Sequence, residues 1–172
     1  PTGGGSGPVV GASALTGGGA TGGTIVCREG EYLIARFADG SIQFAHATTS
    51  PGFLWVDTGV VAPLLTRMHI AQVYDSAIGF VDTYVNGLYI TSNASSGAIV
   101  DTQGALDELW IGGRQFVEQA FDGVIDEVRV WSVARTPQEI NNAYDKTLSA
   151  GAALSLSGLR GYWTFDDDTP ND

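Results

Sequence analysis

From Gly23 onward the chain alternates apolar and polar residues in short runs divided by turn-forming residues. Runs of this period predict strands. They cover Thr24–Cys27, Glu31–Phe37, Ser41–His46, Phe53–Asp57 and Met68–Tyr74, then Phe80–Val85, Leu88–Ser92, Glu108–Gly112, Val124–Trp131 and Tyr162–Phe165. Asp39-Gly40 and Asn86-Gly87 fall between runs and are dipeptides favoured in two-residue hairpin turns. One stretch changes period. Thr136-Pro137-Gln138-Glu139 reads as a capping box, with a hydroxyl N-cap, Pro where a missing N–H costs nothing, and Glu at the third helical position. Ile140, Ala143 and Tyr144 follow at helical spacing, so one short helix lays a narrow apolar stripe on the strands.

About ten strands and one helix predict an all-β fold: a two-sheet antiparallel jelly-roll sandwich with one short helix near the C-terminus. In Val124–Trp131 the alternation puts Val124, Asp126, Val128 and Val130 on the expected core face, and Ile125, Glu127, Arg129 and Trp131 on the other. A carboxylate among valines needs backbone donors or a cation. Asp126 is therefore read as structural, holding a loop or the helix, ahead of metal ligation. Glu127 and Arg129 are expected to pair on an exposed face, where such pairs stabilise little.

Residues 1–23 form a separate zone, an arm or linker in which ten of the 23 residues are Gly. Such a segment costs much backbone entropy to order and has little apolar surface to offset it. Residues 24–172 are read as the folded domain. The one apolar run of the arm, Val9 to Leu15, follows Pro8 and has the small side chains of a strand able to lie close to another backbone. Val9, Val10 and Leu15 are accordingly the candidate assembly residues, and pairing with a neighbouring copy is favoured over pairing within the chain.

Several motifs carry a family resemblance. Gly-x-Ile-Asp-Glu-Val-Arg-Val-Trp (Gly123 to Trp131), Ala-Arg-Thr-Pro-Gln-Glu-Ile (Ala134 to Ile140), His69 with Tyr74-Asp75, Tyr-Val-Asn-Gly (Tyr84 to Gly87) and Leu-Trp-Ile-Gly-Gly-Arg (Leu109 to Arg114) resemble laminin G-like modules. These belong to the concanavalin A-like jelly-roll group, of which pentraxins are a branch. Of the pentraxin signature over His69–Ser76 only His69 and Ser76 match; Ala71, Val73 and Tyr74 replace its other residues. The resemblance covers residues 23–166. It implies strands ahead of Thr24–Cys27 that residues 24–172 lack, leaving an open edge that invites strand addition. It also implies calcium at Glu29 and Glu31 together with Gln115, Glu118, Gln119 and Asp122, in a loop short enough to favour one ion over two. The stretch Gly161 to Asp166 looks like the last strand of one module or the first of the next.

Composition narrows the function. The 172 residues carry a formal net charge of −11 and a pI near 4.3, which argues against nucleic acid as a partner. Divalent cations, neutral glycans or plain solubility suit such a surface better. No run approaches the roughly 18 apolar residues of a membrane span. The start at Pro1, without Met or a signal peptide, reads as a processed or excised piece. Cys27, the single cysteine, sits in an apolar run and reads as buried and inert.

The glucanases of the resembled group place alternating carboxylates on one strand; here Asp107-Glu108 and Asp126-Glu127 are adjacent, so a strand sends them to opposite faces. No enzyme is expected. His46 and His69 read as hydrogen-bonded strand residues. Phe53, Trp55, Tyr84, Tyr89 and Trp110 read first as core and second as sugar-stacking surfaces. Asn93-Ala-Ser95 is a glycosylation sequon, and the acidic tail Asp166–Asp172 reads as solvated. The expected function is a non-catalytic extracellular module for glycan or protein binding or adhesion, with Ca²⁺ as candidate cofactor. The alternative is a structural assembly subunit of a surface fibre, layer or virion, partnered by copies of itself.

Overall fold

The computed structural model describes residues 9–16, 22–50, 52–106, 108–115, 119–149 and 156–166. Its strands are β1 (Val9–Thr16), β2 (Gly23–Arg28), β3 (Tyr32–Arg36), β4 (Ser41–Ala47), β5 (Phe53–Val61) and β6 (His69–Asp75), then β7 (Phe80–Val85), β8 (Leu88–Ala94), β9 (Leu109–Ile111), β10 (Val124–Trp131) and β11 (Leu159–Trp163). The helix α1 (Pro137–Ala143) follows β10. Every strand pairing is antiparallel among the described residues.

The expected two-sheet sandwich needs correction. Among the described residues of 24–172, the strands form three sheets of five, three and two: β5-β4-β3-β2-β9, β6-β7-β8 and β10-β11. β6 and β10 do not pair with each other. Each pairs with β1, which places Val9 opposite both Val73 and Trp131, and Val10 opposite both Gln72 and Val130. Leu15 falls in the register shift between Ser13 and Thr16. The second layer is thus two pieces joined through the strand of the Gly-rich segment, giving the order β11-β10-β1-β6-β7-β8. β1 pairs here within its own chain, where pairing with a neighbour was favoured from the sequence.

The layers close over one apolar core that includes Ile25, Ile34, Phe44, Ile70, Tyr74, Val81 and Val128. Asn86 and Gly87, both at positive φ, make the two-residue turn from β7 to β8. A side chain at Gly87 would meet Tyr144 Cδ1 at 2.5 Å, so the turn also lets the end of α1 approach. Asp39-Gly40 belongs instead to a four-residue connection, closed by Gly40 N–H donating to the Phe37 carbonyl at 2.9 Å. β5 runs four residues past its expected end, through a register shift opposite Ile42 and Gln43.

Alternation fails in β10, and the cause is local. Between Arg129 and Asp126 this strand has one residue more than β1 opposite it, and Glu127 takes φ 56°. This is a β-bulge. Ile125 packs against the core with Val128 and Val130, so Asp126 leaves the core face that uniform alternation assigned to it. β1 is the test of the layer: removal of residues 1–16 should abolish the cooperative melt and expose apolar surface, read by calorimetry and dye binding. An unchanged melting temperature would show that β6 and β10 need nothing between them.

Candidate functional site

The two outer faces of the sandwich differ. α1 covers that of β6 and β10, where Ala71, Val73, Tyr84, Trp131 and Ile140 form a second apolar cluster. The helix starts with a formed capping box: Thr136 N–H donates to Glu139 Oε2 at 2.8 Å, and Glu139 N–H to Thr136 Oγ1 at 3.3 Å. Its far end is held by Arg129, which donates to the Ala143 carbonyl at 2.8 Å, to the Lys146 carbonyl, and to Glu127 Oε2 at 2.7 Å. A guanidinium there meets the exposed carbonyls of a helix C-terminus. Tyr162 of β11 donates to Glu127 and accepts from Leu148 N–H at 2.8 Å. Glu127 and Arg129 therefore pair as expected but in a buried network, 6 and 5 % exposed, because α1 and the segment after it fold back over them.

The outer face of the five-stranded sheet has no helix over it among the described residues. Cross-strand register lines up Trp110, Cys27, Leu33, Ala45 and Trp55, one from each strand. At about 4.8 Å per strand the two tryptophans stand roughly 19 Å apart. Between them Cys27, Leu33, Ala35 and Ala45 form a small buried cluster, each no more than 7 % exposed. Trp55 is held from both sides: Phe37 lies edge-on at 5.7 Å and Phe53 at 6.3 Å. These four aromatics are 40–45 % exposed, a large apolar area for a surface already facing water. At one end the face opens into a cavity of about 690 Å³ lined by Thr24, Arg36, Phe37, Gln43, Trp55 and Gln119. Fixed aromatic rings beside amide side chains can stack on one face of a polar ring and hydrogen-bond its rim.

Of the five aromatics singled out from the sequence, three (Phe53, Trp55 and Trp110) come together here. Tyr84 is core, 1 % exposed beneath Tyr89 of the other layer. Phe37 was missed, since its partnership with Trp55 depends on how three strands align.

Among the described residues, no group of three or more His, Cys, Asp or Glu side chains comes together where it could hold a metal ion, and of those singled out for calcium Glu29, Glu31 and Gln119 have other partners. Glu29 receives two donors from Arg114, one at 3.0 Å, and this pair holds its carboxyl below the usual range. Glu31 pairs with Arg28 at 2.9 Å, and Asp122 is exposed. Gln119 accepts from Arg114 at 3.1 Å, Gln115 Oε1 is buried, and Glu118 lies outside the described residues. The Arg114 guanidinium is thus the charge that neutralises Glu29. Burial, then Glu29, push the Cys27 thiol up to about 12, in keeping with an inert thiol. Asp126 pairs with Arg67 at 3.1 Å, and its carboxyl is raised, mainly by desolvation. Ser95 of the sequon is buried and bonded to His46, so its hydroxyl serves the interior.

The architecture is an all-antiparallel β-sandwich with one short helix on one of its outer faces. Residues 12–141 match the concanavalin A-like lectin/glucanases superfamily, and the chain belongs to it. The match begins inside β1. No curated protein sequence matches the chain. Among solved structures, a candidate carbohydrate binding protein from Bacteroides ovatus is 22 % identical at a TM-score of 0.73, over 100 % of this chain and 49 % of that one. The chain thus spans about half that protein's length. The CBM40 of a Ruminococcus gnavus sialidase, bound to α2,3 sialyllactose, is 15 % identical at a TM-score of 0.64 (81 % and 83 % covered). Domain 4 of an extracellular arabinanase from Geobacillus stearothermophilus, in complex with arabinotriose, is 21 % identical at 0.56 (82 % and 68 % covered).

Acid should unfold this domain through its histidines. Burial lowers both His46 and His69 to about 4, so the unfolded chain takes up protons first as pH falls. Stability should then fall between about pH 6.5 and 4, and His46→Gln should flatten that slope in pH-dependent melts. A slope identical in the variant would remove His46 from the account.

Proposed function

We propose that this chain is a non-catalytic, extracellular glycan-binding module that uses the open face of its five-stranded sheet. The observation that carries the reading is Trp55, fixed edge-to-face by Phe37 and Phe53 at the mouth of the cavity with Gln43 and Gln119. A ring already held in place loses little freedom on stacking against a ligand. The saccharides in complex with the similar arabinanase and sialidase domains support the ligand class. The non-catalytic reading rests on Glu127, whose carboxylate is spent on Arg129 and Tyr162. Secretion fits a module of this kind, and no helix among the described residues is long and apolar enough to cross a membrane. The alternative of an assembly subunit loses its motive, because the chain's own β1 fills the gap that a neighbour's strand was to enter.

Trp55→Ala should weaken binding to neutral oligosaccharides by about 2 kcal/mol, roughly thirtyfold, by calorimetry. Tyr89→Ala, on the other layer, should leave it unchanged. Equal affinity in Trp55→Ala and wild type would move the site elsewhere. Binding should also be independent of calcium, since Glu29 is committed to Arg114. A rise in melting temperature with about 10 mM Ca²⁺, reversed by chelator, would overturn that part.

A further inference from the structure

We infer that the open face selects uncharged saccharides and discriminates against acidic ones; this rests on the glycan-binding reading above. Two arginines lie at this face, and neither holds its terminal nitrogens toward solvent: one is paired with a carboxylate, and the other, Arg36, lines the cavity but is buried. Arg114 is taken by Glu29 and Gln119. Arg36 is 4 % exposed, and its two terminal nitrogens donate to the carbonyls of Phe37 and Ala62, both at 3.2 Å. Carboxylates, in contrast, stand on the rim in the open. Asp57 shares the outer face of β5 with Trp55, and lies opposite Gln43. Glu108 accepts from the indole N–H of Trp110 at 3.1 Å on the far side. Asp39 sits two residues beyond Phe37, bonded to Ser41. All three are exposed.

These carboxylates present negative charge to anything that carries one itself. Binding a uronate or sialate would bring like charges together without an exposed guanidinium to pair them, whereas a neutral pentose or hexose chain meets the amides and rings without that repulsion. The repulsion acts over roughly a Debye length, about 10 Å at 0.1 M salt, so it should weaken as salt rises.

The test compares arabinotriose and xylotriose with trigalacturonate and α2,3 sialyllactose on the whole chain by calorimetry, at low and at high salt. The expected result is at least tenfold tighter binding of a neutral ligand at low salt, narrowing at high salt. The double variant Asp57→Asn, Glu108→Gln keeps both side-chain acceptors; it should hold neutral affinity within about twofold while the preference shrinks to about threefold. Acidic ligands bound as tightly as neutral ones by the wild type, or a preference unchanged in the double variant, would overturn the inference and leave glycan binding standing. Binding of no ligand in either class would overturn both.

Discussion

A sheet broken along its middle leaves two rows of backbone N–H and C=O groups facing a gap. In a dry site each bond left unmade costs on the order of 1–3 kcal/mol. β1 answers that demand, pairing with β6 along one side and β10 along the other. Its contribution is of a different kind from that of the core strands, for the sequence Val-Val-Gly-Ala-Ser-Ala-Leu-Thr has little side-chain volume and is valued for its ladder. With β1 in place, β6 can bury both of its faces, one on the inter-sheet core and one under α1.

The bulge in β10 links that layer to the helix. One extra residue turns Asp126 and Glu127 out of the core together, and Glu127 is left at a backbone angle that costs a non-glycine residue on the order of 1–2 kcal/mol. The buried bonds from Arg129 and Tyr162 offset this, and the same guanidinium ties down the end of α1. The helix is thereby committed to one layer, and the other layer is free to face outward.

What could be read from the chain was local. The Asn86-Gly87 turn and the Thr136–Glu139 box depend on residues within a few positions of each other, and sequence spacing describes them fully. The face of Asp126 was misassigned because period-2 counting assumes a uniform strand, and an inserted residue leaves no mark in the composition of Val124–Trp131. The Glu29–Arg114 pair joins residues 85 positions apart, so Glu29 looked like a free ligand until the fold supplied its partner. Trp55 and Trp110 were ambiguous for a related reason: an alternating strand names two faces but not which of them another element will cover. The role of Val9–Leu15 was half legible, as a strand whose partners lay too far along the chain to see.

That distance matters to how the molecule comes into being. Val9 is made well before its partner Trp131, which lies far along the chain. At a synthesis rate of roughly 10 residues per second the delay is on the order of ten seconds. Once β6 has been made, its edge can take β1 while β1's other edge waits for β10. Contacts this remote in sequence make for slow closure and a high contact order. Four strands of the five-stranded sheet can meanwhile pair as their hairpins emerge, β2 with β3, β3 with β4 and β4 with β5. Folding of this domain would then be gated by a single late event, the docking of its last long strand against its first.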